Sequence, residues 1–222
     1  MKYRYFIFDM DGTLMDTGDG IVASLQRLQQ KAGLNDLPEQ TLRLFLGPPL
    51  KESMMKYYGV TYEETDCLTD IYRGCYMEVG LEKTRIFQGV KEMFGDIRKA
   101  GAKSAVATLK QHQLASAIMK REGLDVLVDY ISLNIDNSLG DKAELINECV
   151  REIGCTDKAE ALMFGDSPND AEAAMRAGVD FVALGFGEGF KPEGALERYP
   201  YVFVIEKEED IRQDVQEILE LE

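Results

Sequence analysis

The sequence predicts an α/β protein: a parallel sheet covered by helices on both faces, with an all-helical subdomain inserted after the first strand. Three observations predict it. Short apolar runs, many of them β-branched or aromatic, recur along the 222 residues. Helical segments that stop at a glycine fall between most of them. Residues 16–83 break this alternation with helix after helix and no convincing strand.

The elements follow in order. Tyr3–Phe8 is an aromatic run that reads as a buried strand. In the insertion, Ile21, Val22, Leu25 and Leu28 form one apolar stripe, closed by Gly33. A second helical piece runs from Pro38 towards Leu46, a third follows Gly47-Pro48-Pro49-Leu50, and a fourth covers roughly Glu63 to Val79. A connection this long inside one domain carries its own structure. The hinges are placed at Met15–Asp16 and Thr84–Gln88, which divides the chain into a core of residues 1–15 and 84–222 and an insert of residues 16–83. The alternation then resumes: helix Val90–Ala100, strand Lys103–Ala107, helix Gln111–Glu122, strand Tyr130–Leu133. Lys142–Ile153 places Ile146, Cys149, Val150 and Ile153 on one face, with Gly154 as its stop. Strand Ala161–Phe164, helix Ala171–Ala177 and strands Phe181–Leu184 and Tyr201–Ile205 complete the sheet. A last helix lines up Ile211, Val215, Ile218 and Leu219 behind the acidic, solvated run Glu206–Asp210.

A chain of this length buries about 70–75% of its unfolded surface and folds without disulfides or a structural metal. The net charge of −15 argues against nucleic acid and anionic membranes as partners. It also means that a site for an anionic ligand must be locally positive, through a divalent cation, lysines or both. Cys67, Cys75, Cys149 and Cys155 show no Cys-x-x-Cys spacing, so zinc or dithiol redox chemistry is not indicated, and Cys149 reads as core filler. No signal peptide and no membrane-spanning run are visible, which leaves the cytoplasm as the expected location.

Four stretches carry chemistry. Asp9-Met10-Asp11-Gly12-Thr13-Leu14 follows the first strand. Two acids two positions apart on extended backbone point the same way, and a Gly behind them permits a sharp turn. The plain alternative is an Asp-rich turn. Thr108 puts a hydroxyl at the end of a strand with a helix soon after, which suits an anion and equally an N-cap. Lys142 opens a helix against the dipole preference, as a site residue or as a tolerated surface lysine. Gly165-Asp166-Ser167-Pro168-Asn169-Asp170 reads as strand, turn and helix. Ser167 is its N-cap, and Asp170 sits where the return arm of a capping box belongs. Asp166 has no such structural role and lies where α/β folds place ligands. Gly185-Phe186-Gly187-Glu188-Gly189 resembles a dinucleotide loop only superficially, since no long helix opens from it and Pro192 intervenes. It is expected to be a flexible loop near the site. His112 reads as a surface residue.

In this order, the Asp9–Leu14 motif, Thr108, Lys142 and the Gly165–Asp170 motif resemble the haloacid dehalogenase superfamily across the whole chain. Leu46-Gly47-Pro48-Pro49-Leu50 and Tyr72-Arg73 ahead of Gly80 are similar to its phosphoglycolate-phosphatase-like branch. The chain departs from that branch at Leu109, where Ser or Asn is usual, and at Gln88-Gly89, where Pro-Gly is usual. The resemblance implies a Rossmann-like core with a helical cap and Mg²⁺-dependent hydrolysis of a small phosphate monoester through an aspartyl-phosphate. Phosphoglycolate, a nucleoside monophosphate, pyrophosphate and a sugar phosphate are all candidates. Asp9 is then the nucleophile and Asp11 the proton donor and acceptor. Asp9, Asp166 and the Asp11 backbone carbonyl hold Mg²⁺, with Asp170 as a further ligand or behind one. Thr108, Lys142 and the Leu109 N–H bind the transferring oxygens. The cap, around Gly47 and Pro48, selects the leaving group. Two alternatives stand beside this reading: a phosphosugar mutase on the same residues, and a non-enzymatic phospho-accepting module like a receiver domain. The oligomeric state is left open.

Overall fold

In the computed structural model, the described residues are 1–134, 140–187, 189–190 and 194–222. The segment 135–139 ahead of Lys142, together with Glu188 and Pro192, therefore lies outside the described residues. The chain divides into two compact units, Met1–Met15 with Ile86–Glu222, and Asp16–Arg85.

The first unit is built on a parallel sheet. Its strands are β1 (Tyr5–Phe8), β4 (Lys103–Gln111), β5 (Tyr130–Asn134), β6 (Ala161–Gly165), β7 (Asp180–Leu184) and β8 (Phe203–Ile205). Among the described residues the spatial order is β5-β4-β1-β6-β7-β8, all parallel. Short β2 (Met15–Asp16) and β3 (Arg85–Ile86) pair separately, where the chain passes between the units. The order explains the site's location. From β1 the chain steps outward to β4 and β5, then returns to the other side of β1 for β6. Such a reversal opens a crevice at the C-terminal strand ends.

Side chains alternate across the central strand, as extended backbone requires. Phe6 and Phe8 point to one face, where Phe8 packs on Phe164 and on Phe94 of α5 (Val90–Lys99). Ile7 points to the other, in a buried cluster with Ile146, Cys149, Ala171 and Ala174 of α7 (Lys142–Glu152) and α8 (Pro168–Ala177). Cys149 is fully buried and its thiol is pushed up to about 12 by burial, which fits the core-filler reading. Helices α6 (His112–Glu122) and α9 (Ile211–Leu219) complete this unit among the described residues.

The second unit is helical: α1 (Gly18–Ala32), α2 (Glu39–Leu42), α3 (Leu50–Tyr58) and α4 (Tyr62–Cys75), the last running into a π-helical turn at Tyr76–Gly80. Thr61 and Glu64 form a reciprocal capping box at the start of α4. The expected piece from Pro38 towards Leu46 is shorter than one continuous helix. It is α2 followed by a tight turn at Arg43–Phe45. Gly20 and Gly80 let α1 and the π-helical turn touch, since a Cβ at Gly20 would stand 2.6 Å from the Gly80 carbonyl oxygen.

Candidate active site

Pairing register sets the site. Phe8 lies level with Phe164 on one side and Val106 on the other. Asp9 is one residue beyond Phe8, Asp166 two beyond Phe164 and Thr108 two beyond Val106. All three therefore emerge at one rim, and the Asp9 N–H donates to the Phe164 carbonyl at 2.9 Å. Behind Asp9 the chain turns sharply. Gly12 has φ of 77° and donates to the Met15 carbonyl, a conformation that favours glycine.

Asp9, Asp166 and Asp170 are buried, and each offers a carboxylate oxygen within 4.8 Å of the other two. Lys142 sits among them, 4% exposed. Its Nζ lies 2.5 Å from Asp9 Oδ1 and also contacts Asp170 Oδ1. The dipole objection to a lysine at a helix start is met locally. Asp141 is the N-cap and accepts from the Ala143 N–H at 2.9 Å, while the Lys142 side chain turns inward. Asp170 serves twice. Its Oδ2 accepts from the Ser167 N–H at 3.0 Å and the Ser167 hydroxyl at 2.6 Å, closing the capping box of α8, while Oδ1 faces Lys142.

Three carboxylates against one ammonium leave an excess of buried negative charge. Burial pushes the Asp9 carboxyl up to about 7, with Lys142 pulling it back and Asp170 adding to the rise. Burial, then Asp170 and Asp9, raise Asp166 well above the usual carboxylate range. At Lys142 burial works against the charge, yet Asp170 and Asp9 outweigh it and hold the ammonium above its ordinary value. The cluster therefore takes up protons or a cation. Three oxygen donors in a buried pocket fit a hard divalent cation, and the donor set lacks the nitrogen or sulfur that zinc prefers.

A test follows. Raised carboxyls stabilise the folded, cation-free protein below their unfolded values, and that stability drains away as pH rises through about 7 for Asp9. Lys142, raised from a basic value, contributes evenly across this window. The cation-free melting temperature should thus fall by several degrees from about pH 5 to about pH 8. Millimolar Mg²⁺ should restore it at the upper end. A flat profile in differential scanning calorimetry would contradict this charge balance.

Asp11 stands apart from the three. Its carboxylate is held by Lys110, whose Nζ lies 3.0 and 3.1 Å from the two oxygens. Thr108 is fully buried, but it does not end its strand as expected. β4 runs on to Gln111, with its pairing to β5 irregular between Thr108 and Gln111. The Thr108 hydroxyl accepts from the Lys110 N–H at 3.1 Å. The helix then begins at His112, which is exposed, with the Gln111 side chain capping the Leu114 N–H. Leu109 lies on β4 between Thr108 and Lys110. Gly47 and Pro48 belong to the second unit, between the Arg43–Phe45 turn and α3.

Two contributions escape a reading of the sequence. Lys110 is one. The other is the close fit of the glycine loop after β7, which was expected near the site but only as a flexible loop. A Cβ at Gly187 would stand 2.2 Å from Asp166 Cβ, one at Gly189 would stand 2.6 Å from the Asp166 carbonyl oxygen, and one at Gly12 would stand 2.4 Å from Asp166 Oδ2. The Gly189 N–H donates to Asp166 at 3.4 Å. These glycines form a close-fitting wall around one carboxylate. The signal that could have found it is the repeat of glycine at every second position directly after a strand.

Comparison with known proteins agrees with this geometry. The family model of the haloacid dehalogenase-like hydrolases matches residues 6–184. A 5'-nucleotidase of Pseudomonas aeruginosa is 30% identical over 194 residues, covering 87% of each chain. A phosphoglycolate phosphatase of Caulobacter vibrioides is 28% identical, covering 85% of this chain and 82% of its own. Among solved structures, a Clostridium difficile protein assigned as a phosphatase superposes with a TM-score of 0.84 at 26% identity, covering 97% of this chain and 99% of its own. The Mycobacterium tuberculosis protein tyrosine kinase A superposes with a TM-score of 0.79 at 27% identity, covering 96% and 98%. The order of motifs, the parallel sheet and the family match together place this chain in the haloacid dehalogenase-like hydrolases, on the phosphatase side of that family.

Proposed function

We propose that this hydrolase cleaves a small phosphate monoester, of the phosphoglycolate or nucleoside 5'-monophosphate kind, through a phosphoryl group held transiently on Asp9. The observation that carries the reading is the buried set of Asp9, Asp166 and Asp170 around Lys142, at the strand ends where the sheet order reverses.

A carboxylate oxygen of Asp9 attacks phosphorus in line with the ester oxygen. The new Asp9 O–P bond forms as the P–O bond to the leaving group breaks. Asp11, two residues on, gives its proton to the departing alkoxide. It then takes one from the water that attacks the acyl-phosphate, which frees phosphate and regenerates Asp9. Lys142 and the Thr108 hydroxyl bind the transferring oxygens, and the Leu109 N–H adds a backbone donor. Asp9, Asp166, the Asp11 backbone carbonyl and Asp170 are the groups that would hold Mg²⁺, which when bound neutralises phosphate charge. Asp170 acts mainly by fixing Lys142 and the start of α8. The second unit, including Gly47 and Pro48, is assigned the choice of leaving group.

The test is a panel of phosphorylated metabolites scored by released inorganic phosphate, each with Mg²⁺ and with EDTA. Turnover is expected for at least one small monoester, abolished by EDTA and restored by Mg²⁺. Metal-independent release would overturn the cation site. Phosphate kept on the substrate skeleton, with dependence on a bisphosphate, would turn the reading to a mutase. Stoichiometric labelling without turnover would turn it to a receiver-like module.

A further inference from the structure

Two glycine-bearing loops enclose the Asp166 side chain. A Cβ at Gly187 would stand 2.2 Å from Asp166 Cβ and 2.5 Å from its Oδ2, and one at Gly12 would stand 2.4 Å from the same Oδ2. Backbone contact on two sides, with the 3.4 Å donation from the Gly189 N–H, confines the carboxylate. Glycine-rich backbone has little stiffness of its own, so something else must hold these walls in place. Phe87 touches both. Its N–H donates to the Leu14 carbonyl at 3.1 Å, within the turn that carries Gly12. Its buried ring meets Phe186 edge to face, with centroids 5.1 Å apart and planes at 83°. Phe186 stands between Gly185 and Gly187. The Gly185 N–H donates to the Ile205 carbonyl at 2.9 Å and the Gly187 N–H to the Leu184 carbonyl at 3.3 Å, so the loop leaves the sheet in a closed turn with the ring as its anchor. All of these residues belong to the first unit.

Resting on the reading that Asp9, Asp166 and Asp170 hold Mg²⁺, we propose that Phe87 and Phe186 are positioning residues for Asp166. Their ring contact presses Gly187 against one side of the carboxylate, and the Phe87 backbone ties in the Gly12 turn on the other. A carboxylate confined in advance gives up less rotational freedom when it takes the cation. Groups that orient a metal ligand from behind set its affinity, and losing one typically costs about 10–100-fold.

The experiment is calorimetric titration of the full chain with Mg²⁺, in wild type, Phe186→Ala, Phe186→Tyr, Phe87→Leu and the double variant Phe87→Leu/Phe186→Ala. Phe186→Ala should raise the Kd for Mg²⁺ about tenfold. The Mg²⁺ concentration that half-saturates turnover of p-nitrophenyl phosphate should rise in step, while KM for the ester at saturating Mg²⁺ holds within about twofold. Phe186→Tyr keeps the ring and should bind Mg²⁺ within about twofold of wild type. In the Phe186→Ala background, Phe87→Leu should cost nothing further. An unchanged Kd in Phe186→Ala would overturn the proposal, and a lower melting temperature in EDTA beside it would make the ring pair packing alone. A loss that appears in KM for the ester at saturating Mg²⁺, or additive losses in the double variant, would overturn it too. Should Phe186→Ala not fold, Phe186→Leu carries the same comparison. A wild type that binds no Mg²⁺ would remove the cation reading and this inference with it, whereas a wild type that binds, with variants that match it, would remove this inference alone.

Discussion

Asp9→Asn should abolish phosphate release, by about 10⁴-fold or more, while the protein stays folded. The amide has nearly the shape of the carboxylate and keeps an oxygen for Lys142, so the ion-paired corner survives as a hydrogen bond. What it lacks is a charged oxygen able to form the O–P bond. Stability should not suffer. Asp9 is buried, and burial is the largest influence on its carboxyl, so its negative charge is a burden on the cation-free fold above about pH 7. Replacing it with a neutral group should leave the melt at pH 8 unchanged or slightly higher. Single-turnover phosphate release and thermal melting measure the two halves separately. Retained turnover would strip Asp9 of its role, and a collapsed melt would make the loss of activity uninformative about chemistry.

Lys142→Met has the largest expected effect on stability. Removing one partner of a buried ionic cluster typically costs about 3–5 kcal/mol, because the remaining charges lose their compensation. Here Asp9 and Asp170 both contact the lost ammonium, and Asp166 feels it through space. The cost should appear in urea unfolding at about pH 8 and shrink at about pH 5, where Asp9 and Asp166 take up protons instead. Mg²⁺ should recover part of the stability, since a cation can answer the same charges. It should not recover the rate, expected to fall by about 10²–10³-fold, because the donor to the transferring oxygens is gone. A variant equally stable at both pH values would show that the ammonium does not organise the cluster.

How far the sequence reaches depends on the distance over which each feature is decided. The strands were legible because buried parallel strands are apolar on both faces, and Phe6, Ile7 and Phe8 announce that directly. The capping box at Ser167 and Asp170 was legible because it closes within one turn. Asp166 and Lys142 could be singled out because each sits where no local rule wants its charge, and Asp9 because it is paired with Asp11 on extended backbone ahead of a glycine. Lys110 could not, because nothing local is odd about a lysine near a strand end. Its meaning comes from Asp11, 99 positions earlier in the chain, and from a slip in register between β4 and β5. The wall around Asp166 was hidden for a similar reason. Gly12 comes from one loop and Gly187 and Gly189 from another, and a missing Cβ matters only against a neighbour that the sequence does not identify. β4 runs three residues past Thr108, since Leu109 and Lys110 give no stop signal although Thr108 looks like one.

The double duty of Asp170 ties architecture to occupancy. One oxygen of this side chain starts a helix and the other steadies the ammonium beside Asp9. Winding the first turn of α8 therefore sets the other Asp170 oxygen against the Lys142 ammonium, and so assembles part of the charged centre. If these carboxylates hold Mg²⁺ as proposed, helix initiation and ligation are thermodynamically linked through Asp170, and removing the Ser167 cap should register as weakened affinity for the cation.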